Sequence, residues 1–326
     1  MQYTMATNEL IISNLKVLLR EAQAAIKDDR KNIFRARAYR TAIRAIENCN
    51  HQVTSGEDVK KLNGIGPKTA AKIQEILDTG KLHQVDDLGE NKLEKSRVIT
   101  AFTNVWGIGA VRANELWDAG ARTIDDLCKK KYQDYLTDNQ KVGVKYYHDL
   151  LKRVPRKDVD EISKTISATL RDIQNEYGWK IKMRVCGSYR RRCETCGDMD
   201  VLLCSKHAEK VMRELVRRLA DLRILIETLG LGSTKYLGIT KTGDGVAFRI
   251  DMECIKPHEW PFALLYFTGS SSFNERQRLI AKKMGYSLSE HGLKNVKTGK
   301  FVEGIRNELD IFEFLDMEYL SPWERK

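Results

Sequence analysis

Val185-Cys186-Gly187-Ser188-Tyr189-Arg190-Arg191-Arg192-Cys193-Glu194-Thr195-Cys196-Gly197-Asp198-Met199-Asp200-Val201-Leu202-Leu203 decides how the rest of the chain is read. Asp198 and Asp200 stand two apart and run into the apolar Val201-Leu202-Leu203, which predicts a strand. A period of two puts both carboxylates on one face. Two carboxylates side by side repel unless a cation lies between them. Mg2+ suits the place, because it takes oxygen ligands and bridges carboxylates to phosphates. Gly187-Ser188 permits close backbone approach, and Arg190, Arg191 and Arg192 supply fixed positive charge. An isolated Asp-x-Asp would read more simply as solvated residues at a strand start. The glycine, serine and arginines at this spacing outweigh that reading and suggest a triphosphate held against a metal.

A third carboxylate would complete a two-metal site. Ala247-Phe248-Arg249-Ile250-Asp251-Met252-Glu253 alternates, with Phe248, Ile250 and Met252 on one face and Arg249, Asp251 and Glu253 on the other. The pattern predicts a strand. As a neighbour of the first, it would bring Asp251 beside the pair. Around these strands, residues 158–177 and Glu209 to Leu222 read as amphipathic helices and Lys180 to Cys186 as a strand, an α/β alternation.

The first part of the chain reads as helical. Leu10, Ile11, Leu15, Leu18 and Leu19 recur at helical spacing, and so do Ala36, Ala38, Tyr39, Ala42, Ile43 and Ile46. Arg35, Arg37, Arg40 and Arg44 stud the second helix, by themselves a solvated basic face. Lys60-Lys61-Leu62-Asn63-Gly64-Ile65-Gly66-Pro67-Lys68 is a helix-hairpin-helix pattern. Gly64 and Gly66 permit a tight turn, Pro67 suits a first helical position, and the amides there can face a DNA phosphate. Gly80 predicts the end of that helix. The pattern returns about 43 residues later in Val105-Trp106-Gly107-Ile108-Gly109-Ala110, where Gly120 closes the helix and Thr123 is placed to cap the next. One Gly-x-Gly is weak, but two in matching surroundings point to a binder of duplex backbone. Lys68 and Lys72 share a helical face. On the residues alone they read as two phosphate contacts; crowding of the two ammonium groups could also free an amine for Schiff-base chemistry.

The 326 residues allow two or three compact units. A content of 42% hydrophobic and 31% charged residues fits a soluble globular protein. The net charge of +11 points to a polyanionic partner, nucleic acid being the commonest. No apolar run of about 18 residues predicts a membrane span, and the start lacks a signal-peptide pattern. The seven scattered cysteines favour a reducing compartment. Cys193 and Cys196 lack a second pair at zinc-like distance and read as incidental thiols.

Gly-Ser-x-x-Arg, then Gly-Asp-x-Asp, with Arg-x-Asp on a later strand, resembles the nucleotidyltransferase core of the family X DNA polymerases, the beta branch in particular. The likeness runs over nearly the whole chain. It implies an α/β multidomain protein: an all-helical helix-hairpin-helix lyase domain at 1–92, a helical duplex-binding subdomain at 93–152, a catalytic α/β palm at 153–260 and a small α+β nucleotide-selecting subdomain at 261–326. It implies template-directed gap filling in base excision repair. Two Mg2+ ions, replaceable by Mn2+, would sit on Asp198, Asp200 and Asp251; one would activate the primer 3′-hydroxyl and the other would steady the pyrophosphate. Asp251 is also expected to receive the hydroxyl proton.

The same resemblance makes Lys72 a Schiff-base lysine that removes a 5′-deoxyribose phosphate, with Arg35, Tyr39, Lys60 and Lys68 around the 5′-phosphate. Phe34 and Gln84 depart there from a histidine and a lysine. Carbonyls of Lys60, Leu62 and Ile65, and of Thr103, Val105 and Ile108, would each hold Na+ or K+, with Gly64, Gly66, Gly107 and Gly109 against the backbone of the DNA. Arg153, otherwise a surface cation at a helix end, with Ser188, Arg191 and Gly197 would contact the triphosphate. Cys196 stands where a serine is common, which predicts a weaker nucleotide contact. Leu265-Tyr266-Phe267-Thr268-Gly269, alone an apolar strand and a turn, becomes the nucleotide-selecting segment. Tyr266 and Phe267 would crowd the sugar 2′ position, Asn274 would meet the incoming base and Arg278 the template. Ser271 replaces an acidic residue there. Leu288 to Leu293 is similar to the lambda branch.

The implied partners are gapped or nicked DNA and deoxyribonucleoside triphosphates, with no membrane, and the implied state is a monomer. The implied compartment is the nucleus in a eukaryote, otherwise cytoplasm or virion. No room for a BRCT-type module precedes the first helix, so recruitment through one is not expected. Two other readings stay open: a template-independent nucleotidyltransferase, against which Tyr266-Phe267 argues, and a non-catalytic gap binder, against which the three aspartates argue.

Overall fold

The computed structural model describes residues 7–47, 49, 51–62 and 64–325. They form two compact units, divided between Tyr147 and His148. The first unit is helical. Thr7 caps helix Asn8–Ala24 by accepting the Leu10 amide at 3.3 Å. That helix buries Ile11, Leu15, Leu18 and Ala22, one stripe at the 3–4 spacing of a helix packed on one side. Helix Asn32–Glu47 buries Ala36, Tyr39, Ala42, Ile43 and Ile46 against it, and helix Pro67–Thr79 adds Ile73 and Ile76 to the same core. A second core lies around Val98, Ile99, Phe102, Leu116, Leu127 and Val144.

The two hairpins repeat in geometry as well as in sequence. Gly64 and Gly107 have φ of 89° and 83°, a region closed to most side chains. Gly66 and Gly109 are extended N-caps of helices Pro67–Thr79 and Ala110–Asp118. The Ile65 amide donates to the Leu62 carbonyl at 3.4 Å, and the Ile108 amide to the Val105 carbonyl at 3.0 Å. Gly80 (φ 70°) ends the first of these helices. Gly120 (φ 97°) follows the second, and the Thr123 hydroxyl accepts the Asp126 amide.

The second unit is built on a five-stranded sheet. Strand Asp198–Cys204 lies antiparallel to edge strand Lys182–Val185 on one side and parallel to Ala247–Ile255 on the other; Lys235–Lys241 and Glu227–Leu231 complete it. Helices Arg156–Tyr177 and Ala208–Asp221 cover one face with Ile162, Ile166, Val211 and Leu215, against Met199, Val201, Leu203, Ile250 and Met252. Leu202, Cys204 and Ile255 point the other way and pack with Ala263 of helix Trp260–Thr268. One face of strand Asp198–Cys204 thus begins with two carboxylates and ends under a helix.

Trp260–Thr268 corrects the strand that its apolar run suggests in isolation. Pro261 sits in the first helical turn and Gly269 (φ 67°) stops the helix. Phe262, Ala263 and Leu265 are all buried, so no apolar period of 3.6 is left in the sequence to read. Helix Ser271–Lys283, hairpin Tyr286–Ser289 with Gly292–Asn295, and helix Glu308–Phe314 enclose a further core around Phe273, Leu293 and Phe312. Among the described residues no helix is long and apolar enough to cross a membrane.

Candidate active site

The register of the parallel pair puts Asp200 opposite Asp251. One carboxylate oxygen each from Asp198, Asp200 and Asp251 lies within 4.8 Å of the others. Burial, then the negative charges of Asp198 and Asp251, push Asp200 up to about 7. Burial also raises Asp251, against the pull of Arg249. The Arg249 guanidinium bonds Asp251 and reaches Asp198 at 3.3 Å. One cation among three carboxylates leaves negative charge unmatched, and Asp251 Oδ1 is buried with no hydrogen-bond partner. A set of oxygen ligands with this deficit suits a hard divalent cation such as Mg2+.

A cleft of about 700 Å3 opens beside the carboxylates. Arg153, Ser188, Arg191, Gly197, Tyr266, Phe267 and Asn274, read from the sequence as nucleotide contacts, all line it, as does Arg278, read as a template contact. Arg153 is aimed by two bonds to Thr195, Nε to Oγ1 at 2.9 Å and Nη2 to the carbonyl at 2.6 Å. Arg191 donates to the Thr268 carbonyl at 2.5 Å. The Tyr266 and Phe267 rings meet edge to face at 5.3 Å, and Arg278 lies over Tyr266 at 4.9 Å. The Asn274 side-chain amide donates to the Tyr266 carbonyl at 2.7 Å.

Two features differ from the sequence reading. Cys196 is fully buried in the core of the sheet unit. Its thiol does not line the cleft. Arg190 also leaves the cleft: both its terminal nitrogens bond the Glu308 carboxylate, at 2.9 and 2.7 Å, and Glu308 in turn accepts from the buried Arg325. Three consecutive arginines gave no sign of which one turns inward. Arg249 was equally invisible as a charge partner until Asp198 and Asp251 came together. Its position two residues before Asp251, on the same strand face, was the available signal.

Gly187 is the tightest point. It has φ of 54°, and a Cβ there would overlap the Asp200 carboxylate. Gly187→Ala is therefore expected to displace Asp200. Incorporation should fall by about 10^2-fold or more, read by single-turnover kinetics, with DNA affinity retained.

In the helical unit, Lys72 and Lys68 are one turn apart on helix Pro67–Thr79, Lys68 exposed and Lys72 half-buried. The Lys72 ammonium donates to Gln84 Oε1, and Lys60 is paired with Glu57. Arg35 bonds Asn32 at 3.2 Å. Tyr39, read as a phosphate contact, has its ring in the core at 7% exposure.

Four family models match consecutive parts of the chain: a helix-hairpin-helix domain over residues 6–82, the fingers domain of DNA polymerase lambda over 100–151, the DNA polymerase beta palm over 153–257 and the DNA polymerase beta thumb over 263–326. The chain is 32% identical to DNA polymerase lambda of Arabidopsis thaliana over 324 residues, 92% of this chain and 59% of that protein. It is 32% identical to DNA polymerase lambda of Rattus norvegicus, over 90% of this chain and 52% of that protein. A type-X family polymerase of Schizosaccharomyces pombe is 27% identical over 88% of this chain. The carboxylate cluster lies on the sheet of the segment that matches the palm model, and the segments before and after it in sequence match the helix-hairpin-helix, fingers and thumb models. The chain belongs to the family X DNA polymerases. It spans a little over half the length of the lambda relatives.

Proposed function

We propose that the chain is a template-directed, gap-filling DNA polymerase with an attached 5′-deoxyribose-phosphate lyase, working in base excision repair. The observation that carries the polymerase half is the meeting of Asp198, Asp200 and Asp251 at a cleft walled by Arg153, Arg191 and Tyr266-Phe267. The three aspartates would hold Mg2+ or Mn2+, which when bound supplies Lewis-acid charge at the primer hydroxyl and the phosphates. Arg153 and Arg191, each anchored by a backbone carbonyl, meet the phosphates without reorganising. Asp251 Oδ1 is free to take the hydroxyl proton. Tyr266 and Phe267, which line the cleft, would crowd a ribose 2′-hydroxyl and so favour deoxyribonucleotides. Asn274 and Arg278 face the base pair.

The paired hairpins support gapped or nicked duplex as the partner. Their turn carbonyls are candidates for Na+ or K+. In the lyase step, the Lys72 amine attacks the C1′ aldehyde of the opened sugar and expels water. Loss of the C2′ proton then breaks the C3′–O bond, and hydrolysis returns the lysine. The four segments bounded at 92, 152 and 260 serve as lyase, duplex-binding, catalytic and nucleotide-selecting parts. Seven free cysteines fit a reducing compartment, and nuclear residence and a monomeric state complete the proposal.

The test uses a one-nucleotide gap carrying a 5′-deoxyribose phosphate, with incorporation and borohydride trapping followed together. Wild type should do both. Asp200→Ala should lose synthesis alone, and Lys72→Ala most of the trapping alone. Gap filling without trapping removes the lyase; binding without either reaction makes the chain a gap binder. Synthesis unchanged when the template is omitted makes it an end-extending transferase.

A further inference from the structure

We propose that the palm carries a second, non-catalytic binding site for a single DNA strand, at the end of the sheet away from the three aspartates. Edge strand Lys182–Val185 runs antiparallel to Asp198–Cys204, so Lys182 lies opposite Cys204. At about 3.3 Å per residue this is roughly 13 Å along the strand from Asp200. A cleft of about 720 Å3 opens there. Lys180, Lys182, Lys206 and His207 line it, and no carboxylate does. Among the described residues the three lysine ammonium groups have neither a hydrogen bond nor an ion pair, and all three lysines are exposed. Some exposed cations of this unit are paired, Arg217 with Glu214 and Asp221 and Lys152 with Asp149, so what marks the three lysines is their gathering in one cleft whose lining holds no acid.

Beside the lysines stands a column of rings. Tyr177 stacks on Trp179 with centroids 4.4 Å apart and planes 17° apart, and His207 lies tilted by 31° against Trp179 at 5.4 Å. Trp179 is half-buried between these contacts, while Tyr177, 42% exposed, and His207, also exposed, are the rings offered to a base. Unpaired cations beside exposed aromatic faces are the two components of sequence-tolerant single-strand binding. An acidic peptide would use the lysines and leave the rings unused. Lysines on an edge strand also discourage pairing with another chain, but Lys206 and the ring column lie off that strand and add nothing to such protection.

The test titrates a labelled oligothymidylate of about twelve nucleotides into the full chain, alone and with the catalytic cleft saturated by a blunt-ended gapped hairpin. Wild type should bind the oligonucleotide in both cases. The triple variant Lys180→Ala/Lys182→Ala/Lys206→Ala should bind it about tenfold or more weakly, with a salt dependence shallower by about two, and Tyr177→Ala should weaken binding without changing that slope. Gap filling should be unchanged in all variants, which also reports folding. If wild type fills no gap, the polymerase reading fails while the titration still decides the second site. Equal affinity of wild type and triple variant, no binding to the hairpin-loaded protein, or equal affinity for a polyglutamate peptide would each overturn the proposal.

Discussion

Asp251→Ala is expected to lower nucleotide incorporation by about 10^3-fold or more, roughly 4 kcal/mol of transition-state stabilisation, while affinity for gapped DNA stays within about twofold. The asymmetry follows from where Asp251 lies. Its Oδ1 is buried and unpartnered, its other oxygen is held by Arg249, and neither takes part in a hairpin. The carboxylate is the one member of the cluster supplied by the second strand, so no neighbour replaces it. The fold should not suffer, because Arg249 keeps Asp198 at 3.3 Å and one source of repulsion on Asp200 is removed. The urea unfolding midpoint is therefore expected to stay level or rise. Incorporation within tenfold of wild type would remove Asp251 from the site. A large drop in the midpoint would instead make it a structural residue.

Glu308→Ala is expected to lower stability by about 3–5 kcal/mol, the largest effect of any single substitution considered for the fold. Glu308 is the anion between two guanidiniums, one of them, Arg325, wholly buried. Arg325 also donates to the Leu320 carbonyl at 2.9 Å and lies among the Phe312, Phe273 and Tyr319 rings at 5.3–5.7 Å. Without Glu308 two charges remain inside with no counter-ion, and neither can lose its proton, since arginine stays charged. Burial alone would push the Glu308 carboxyl up; the hydrogen bonds from Arg190 and the charge of Arg325 outweigh burial and hold it below its ordinary value. A depressed folded-state pKa contributes stability that is complete above the unfolded value, about 4.3, and is lost as pH falls through the folded one. Wild-type stability should thus decline below about pH 4.3 partly through this residue. Glu308→Gln, already without the charge, should lack that share of the decline. Urea titrations at pH 7 and pH 4 measure both effects. Because Arg190 follows Gly187-Ser188 in the same short helix, nucleotide affinity should fall along with stability. An unchanged midpoint would mean the network contributes nothing net.

Much of the architecture is legible in the sequence, because its signals are local. Gly64-Ile65-Gly66-Pro67 specifies a tight turn and a helix start wherever it occurs, and the second copy at Gly107 folds the same way. The Phe248/Ile250/Met252 alternation names its own buried face. The Trp260–Thr268 helix was not legible: buried on several sides, it carries no polar stripe to set its period, and only packing on Leu202 and Ile255 identifies it.

The sequence by itself determined the two-residue spacing of Asp198 and Asp200, the third carboxylate and the hairpin pair, since strand period and glycine conformation depend on neighbours along the chain. The tertiary structure alone decided which arginines serve which anions. Arg190 turned inward to Glu308, Arg191 stayed in the cleft and Arg249 took a place among the aspartates. Burial decided likewise that Cys196 belongs to the core. Charge pairing and desolvation depend on residues far apart in sequence and close in space, so a linear pattern cannot assign them.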